Sequence, residues 1–77
     1  MRDAGWPGTW ARLDHMDRLT DLQKRIAILV SEGKTNRQIG RLIAISPHTV
    51  NYHLRQMFRK LNIQSRSQLA AIVPPPR

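Results

Sequence analysis

The chain contains no cysteine, so neither a disulfide framework nor a thiolate zinc site can hold its fold. Apolar packing must stabilise its 77 residues, a length at which one small domain folds unaided. No apolar run approaches the roughly 20 residues needed to cross a bilayer, and the first residues lack the apolar block of an export signal. A soluble, cytoplasmic chain is expected, with no membrane partner. Aromatic residues are scarce, limited to Trp6, Trp10, Tyr52 and Phe58. The stacking platforms that single-strand and RNA binders use are therefore poorly supplied.

Acidic residues are scarce as well. Five Asp and Glu stand against 13 Lys and Arg, a formal net charge of +8, which for so short a chain draws in polyanions. The excess is confined to one segment. Residues 1–18 balance Arg2, Arg12 and Arg18 against Asp3, Asp14 and Asp17, whereas residues 19–77 hold ten basic and two acidic groups. Double-stranded DNA is the expected partner. There is no carboxylate pair, no Ser-His-acid set and no phosphate-cradling glycine loop, so neither catalysis nor a cofactor is expected. His48 and His53 are five apart, which on a helix turns them about 140° from each other and rules out a shared metal. His53 borders an apolar stripe and reads as a packed, hydrogen-bonded structural residue.

Capping signals divide the chain from Leu19 onward. Thr20 with Gln23 has capping-box spacing, so a first helix of about 12 residues starts near Asp21. Its apolar residues Leu22, Ile26, Leu29 and Val30 share one face of a 3.6-residue period, and Gly33 supplies the left-handed residue that ends it. Thr35 with Gln38 repeats the box before a short second helix carrying Ile39 and Ile43. Ser46 is an N-cap and Pro47 suits a first helical position, so a third helix of about 15 residues runs from Pro47 to Leu61. Ser65 with Gln68 caps a fourth, bearing Leu69, Ile72 and Val73, which Pro74, Pro75 and Pro76 terminate. No segment alternates with period two, so the fold class is all-α. Gly5, Pro7 and Gly8 interrupt residues 1–18, which read as a flexible arm or linker on which Trp10 and Leu13 are the apolar exceptions.

The third helix is two-faced. At about 100° per residue, Val50, Leu54, Met57, Phe58 and Leu61 form one apolar stripe that must face the other helices. The opposite side carries His48, Tyr52, Arg55 and Arg59, flanked by Asn51 on one edge and Thr49, Gln56 and Lys60 on the other. Two helices joined by a tight turn, the second long and basic outside, describe a helix-turn-helix whose second helix enters the major groove. Gly40 fits, because close approach at the turn needs a small residue.

The stretch from Leu19 to Val73 resembles the LuxR-type helix-turn-helix domain of bacterial transcriptional regulators. The matching words are Leu19-Thr20, Ser31-Glu32-Gly33, Thr35-Asn36-Arg37-Gln38-Ile39, Ile45-Ser46-Pro47-His48-Thr49-Val50 leading to His53, Lys60-Leu61 and Ser65-Arg66-Ser67-Gln68. The resemblance implies a four-helix domain, residues 19–77, whose third helix reads bases through Asn51, Tyr52 and Arg55. It implies phosphate contacts from Thr35, Thr49, Lys60 and Arg66. Chemistry agrees with this division: Arg55 can grip guanine O6 and N7, Asn51 can pair with adenine, and Tyr52 can touch a thymine methyl. Thr35 and Ser65 sit at helix N-termini, where amides and the helix dipole favour phosphate. Arg37, His48 and Arg59 complete the expected phosphate-facing set.

The chain departs from the family pattern at four places. Gln23 and Gln38 stand where Glu is usual, Gly40 replaces the customary Ala of the turn, and Asn51 replaces a Lys after Thr49-Val50. The last change alters what that position can read, since a cation becomes a neutral amide. Two other readings share features with this one: the promoter-recognising fourth region of a sigma factor, and a basic module that docks an acidic protein. The fourth helix speaks against the sigma factor, and salt dependence of DNA affinity separates the second. LuxR-type domains usually follow a receiver or ligand-binding domain, which 18 residues cannot contain, so the chain is either free-standing or a fragment. A weak homodimer through the fourth helix and contact with RNA polymerase are the further expectations.

Overall fold

The computed structural model describes residues 16–74, and within them the fold is four helices with no strand: α1 (Asp21–Ser31), α2 (Asn36–Ile43), α3 (Pro47–Leu61) and α4 (Arg66–Ile72). The expectation for Trp10 and Leu13 lies outside these residues. Each helix begins where a hydroxyl satisfies an orphan amide. Thr20 accepts from the Gln23 amide and Gln23 Oε1 accepts from the Thr20 amide, and Thr35 and Gln38 do the same for α2. Ser46 caps α3 by accepting from the Thr49 amide, with Pro47 following it. At α4 the box is displaced by one residue. Ser65 accepts from the Gln68 amide, but the Gln68 side chain reaches past it to the amide of Gln64.

The first three helices end in left-handed residues, whereas α4 ends at Val73 in extended conformation. Gly33 follows α1 at φ 84°, where a glycine carries no steric penalty. Ala44 (φ 63°) and Asn62 (φ 55°) close α2 and α3 in the same conformation, and the sequence signals for these two were weaker because neither is glycine. Asn tolerates this region through local hydrogen bonding, whereas Ala holds it at a cost of about 1–2 kcal/mol.

One core joins all four helices. Leu19, Ile26, Ala27, Val30, Ile39, Val50, Leu54, Met57, Leu61, Leu69 and Val73 are buried in it, and Met16 packs against its edge. Burying a side chain such as Ile26, Ile39 or Met57 contributes about 1.5–3 kcal/mol. The buried face of α1 is rotated from the one its apolar residues suggest: Gln23, Ile26, Ala27 and Val30 point inward, while Leu22 and Leu29 flank the core half-buried. Phe58 likewise sits at the margin of the α3 stripe and not within it. α2 packs chiefly on α3, α4 packs on α1, and α1 touches all three others.

The turn between α2 and α3 is three residues, Ala44 to Ser46. Its tightness depends on Gly40. A Cβ at that position would lie 2.5 Å from the carbonyl oxygen of Ile45, closer than any side-chain carbon tolerates, and the Ile45 amide in turn donates to the Gly40 carbonyl at 2.9 Å. The small residue thus sets how closely α3 follows α2, and so how the outer face of α3 is presented.

Candidate nucleic-acid interface

The apolar stripe of α3 anchors the helix and leaves its far side in solvent. Val50, Leu54, Met57 and Leu61 are buried; His48, Asn51, Tyr52, Arg55 and Arg59 are exposed. Tyr52 is the prominent member, a large aromatic left 59% exposed. Such a group at the centre of a basic face is available for contact with a partner. No acidic residue lies anywhere on α3.

Tyr52 is held from two sides. The amide of Gln56, one turn onward, donates to its hydroxyl at 3.0 Å, and the His53 ring stands edge-on to its ring, centroids 5.7 Å apart and planes at 73°. His53 is half-buried, as its place beside the stripe implied. The hydrogen bond expected of it is not formed at Nδ1, which is buried and has no partner among the described residues.

A second group of expected residues gathers where α2, α3 and α4 begin. Thr35, Arg37, Pro47 and Arg66 line one open groove together with Gly33, Lys34 and Asn36. The Thr35 side chain uses its oxygen to accept from Gln38, which leaves its hydroxyl proton to donate outward. Thr49 is half-buried, its hydroxyl 2.9 Å from that of Ser46. Ser65 is exposed beside this groove as the cap of α4.

Two cations expected to face phosphate, Arg66 and Lys60, also hydrogen-bond within the protein. Arg66 donates from one guanidinium nitrogen to Asn36 Oδ1 at 2.6 Å and from the other to the Lys34 carbonyl, bracing α4 against the loop between α1 and α2. Lys60 donates to Gln23 Oε1 at 2.9 Å and to the Arg18 carbonyl at 3.4 Å. Lys60 lies in the last turn of α3, whereas the Thr35 groove meets the helix at its first residue, Pro47. Because 30 to 42 positions of chain separate these donors from their acceptors, nothing local in the sequence announces the pairs. Gln56 is different, since its spacing of four from Tyr52 is the ordinary distance for contact on a helix surface.

No group of three or more His, Cys, Asp or Glu among the described residues could hold a metal ion. No helix among them is long and apolar enough to cross a membrane.

Residues 17–73 match the family model GerE, described as bacterial regulatory proteins, LuxR family. The protein YhjB of Escherichia coli strain K12 is 32% identical, aligned over 87% of this chain and 36% of its own length. The transcriptional activator protein AhyR of Aeromonas hydrophila is 40% identical, over 75% of this chain and 22% of its own. The regulatory protein SdiA of Escherichia coli strain K12 is 38% identical, over 62% and 20%. The chain thus spans little more than a third, or less, of the length of these curated relatives. No solved structure matches it.

Proposed function

Since the chain belongs to the LuxR family of bacterial regulatory proteins, we propose that it binds duplex DNA as the DNA-recognition part of a transcriptional regulator, with α3 lying in the major groove. The observation that carries this reading is the outer face of α3: Asn51, Tyr52 and Arg55 exposed together, opposite a stripe buried in the core. A helix of 15 residues is about 22 Å long and enters a major groove about 12 Å wide. Arg55 offers two parallel donors to guanine, Asn51 a donor and an acceptor to adenine, and Tyr52 a ring for a thymine methyl and a hydroxyl for a base acceptor.

Thr35, Arg37, His48, Thr49, Arg59 and Ser65 are assigned to the flanking phosphates, where donors position the protein without reading sequence. Lys60 and Arg66 take a mixed role. Each spends hydrogen-bonding capacity on the fold, and Arg66 retains guanidinium N–H groups beyond the two it commits to protein acceptors. Their positive charge still adds to the field that attracts the phosphate backbone.

The chain covers 36% and 22% of the length of two of its relatives, and the role proposed for it is that of the DNA-recognition domain alone. We assign no catalytic chemistry to it, and a cytoplasmic location follows from its partner. Pairing of two copies through the exposed side of α4, which includes Ser67 and Ala71, is assigned to the DNA-bound state, because a surface from a seven-residue helix is far smaller than a stable interface of about 800 Å² per partner. RNA polymerase is the further partner of such a regulator.

Selection of bound duplexes from a random pool tests the reading directly. An enriched motif is expected, with affinity for it falling log-linearly as salt rises, by about 0.9 log units per log unit for each phosphate contact. Failure to enrich any sequence at low ionic strength overturns it.

A further inference from the structure

The hydrogen bond between Gln56 and Tyr52 lies at the centre of the outward face of α3, where neither group needs the other for satisfaction, because water is at hand. Tyr52 is 59% exposed, and the pair is formed by side chains one helical turn apart. What the bond determines is direction. The Gln56 amide is the donor and the phenol oxygen the acceptor, at 3.0 Å. A phenol has a single proton, and accepting from an amide leaves that proton to point elsewhere. The ring is fixed separately, edge-on to His53, so hydroxyl and ring are both placed before any partner arrives.

We infer that Gln56 is a specificity-determining positioning residue: by occupying the acceptor side of the Tyr52 hydroxyl, it makes Tyr52 a hydrogen-bond donor toward DNA. The inference rests on the proposed insertion of α3 in the major groove. A donor there favours bases that present an acceptor, N7 or O6 of guanine, N7 of adenine and O4 of thymine, and disfavours cytosine, whose major-groove group is an amino donor. A bond within a chain of hydrogen bonds is strengthened by its neighbour, so donation by the phenol is enhanced while the amide donates to it.

Glutamate at position 56 reverses the polarity. A carboxylate accepts only, so it takes the phenol proton and leaves the oxygen's lone pairs for the base. Tyr52 then favours amino groups, N4 of cytosine or N6 of adenine. A merely structural contribution from Gln56 cannot produce that inversion.

The test is duplex selection from a random pool with the wild-type chain, Tyr52→Phe, Gln56→Ala, Gln56→Glu and the double variant Tyr52→Phe/Gln56→Ala. Tyr52→Phe identifies the motif position read by the hydroxyl, as the one where discrimination against cytosine is lost. Gln56→Ala is expected to weaken discrimination at that same position by about two- to tenfold, the range set by one neutral hydrogen bond, with the double variant no flatter than Tyr52→Phe alone. Gln56→Glu is expected to raise cytosine or adenine there above the wild-type level, whatever its effect on overall affinity. Alanine is a better helix former than glutamine, and far-UV circular dichroism of each variant verifies that α3 is retained. Uniform loss across all sequences on Gln56→Ala, or a change confined to a different position, overturns the inference while leaving the DNA-binding reading intact. A wild-type chain that enriches nothing overturns both.

Discussion

The ammonium of Lys60 lies 2.9 Å from the side-chain oxygen of Gln23, a residue 37 positions earlier in the chain and only 3% exposed. That same oxygen accepts from the Thr20 amide. One atom therefore closes the N-terminus of α1 and ties it to the C-terminal end of α3. It also explains why a glutamine is buried among apolar residues of α1: its polar end is shared between two donors.

Gln23→Glu is expected to stabilise the domain. The substitution converts a neutral acceptor into a charged one facing an ammonium, and bonds of that kind are roughly twice as strong. Desolvating a carboxylate at a position only 3% exposed opposes the gain, but the Thr20 amide and the Lys60 ammonium already face the acceptor there, and exposed Lys60 stays hydrated on its outer side. A net gain of about 1 kcal/mol, a rise of about 4–8 °C in melting temperature for a domain of this size, is expected by thermal circular dichroism. The gain should vanish in Lys60→Met. An unchanged melting point in Gln23→Glu contradicts the assigned contact.

Arg66→Lys is expected to destabilise despite conserving charge. The guanidinium serves Asn36 Oδ1 and the Lys34 carbonyl from two nitrogens at once, a geometry that an ammonium on a different stem does not reproduce. Loss of one charge-assisted bond should cost about 1.5–3 kcal/mol. Chemical denaturation should show a lower midpoint with an unchanged slope. If stability is retained and only DNA affinity falls, Arg66 acts on phosphate and not on the fold.

Gly40→Ala sets two effects against each other. Alanine inside a helix is favoured over glycine by about 1 kcal/mol, which alone would stabilise α2. The new Cβ would meet the Ile45 carbonyl oxygen at 2.5 Å, and that atom is backbone, so relief requires the α2–α3 turn to shift. Overpacking of this kind costs about 1–3 kcal/mol, and a net loss of stability is expected. A higher melting point for Gly40→Ala would show that the turn yields freely.

Arg55 and Arg37 should differ in kind when removed. Arg55→Ala is expected to weaken binding to the selected site by about 1–3 kcal/mol and to relax preference at one base pair. Arg37→Ala should weaken all sequences alike and reduce the salt slope by about one. Affinities over a set of single-base target variants distinguish the two. Uniform loss on Arg55→Ala would remove it from the base-reading set.

The helices and their ends were legible in the sequence because the forces that set them act over three or four residues. Thr20, Thr35 and Ser65 cap where their spacing to Gln23, Gln38 and Gln68 says they must, Ser46 caps directly ahead of Pro47, and the 3.6-residue period of Val50, Leu54, Met57 and Leu61 assigns α3 an inner and an outer face without reference to any partner helix. The same locality made Tyr52 and Gln56 findable. What packing alone decided lies across greater distances. The inward turn of Gln23, the capture of Lys60, and the clamp from Arg66 to Asn36 and Lys34 join residues 30 to 37 positions apart. Two cations that a sequence pattern places on phosphate thus acquire partners in the fold. Charge and residue type state what a side chain can bind, but only the assembled helices determine which acceptor comes within reach.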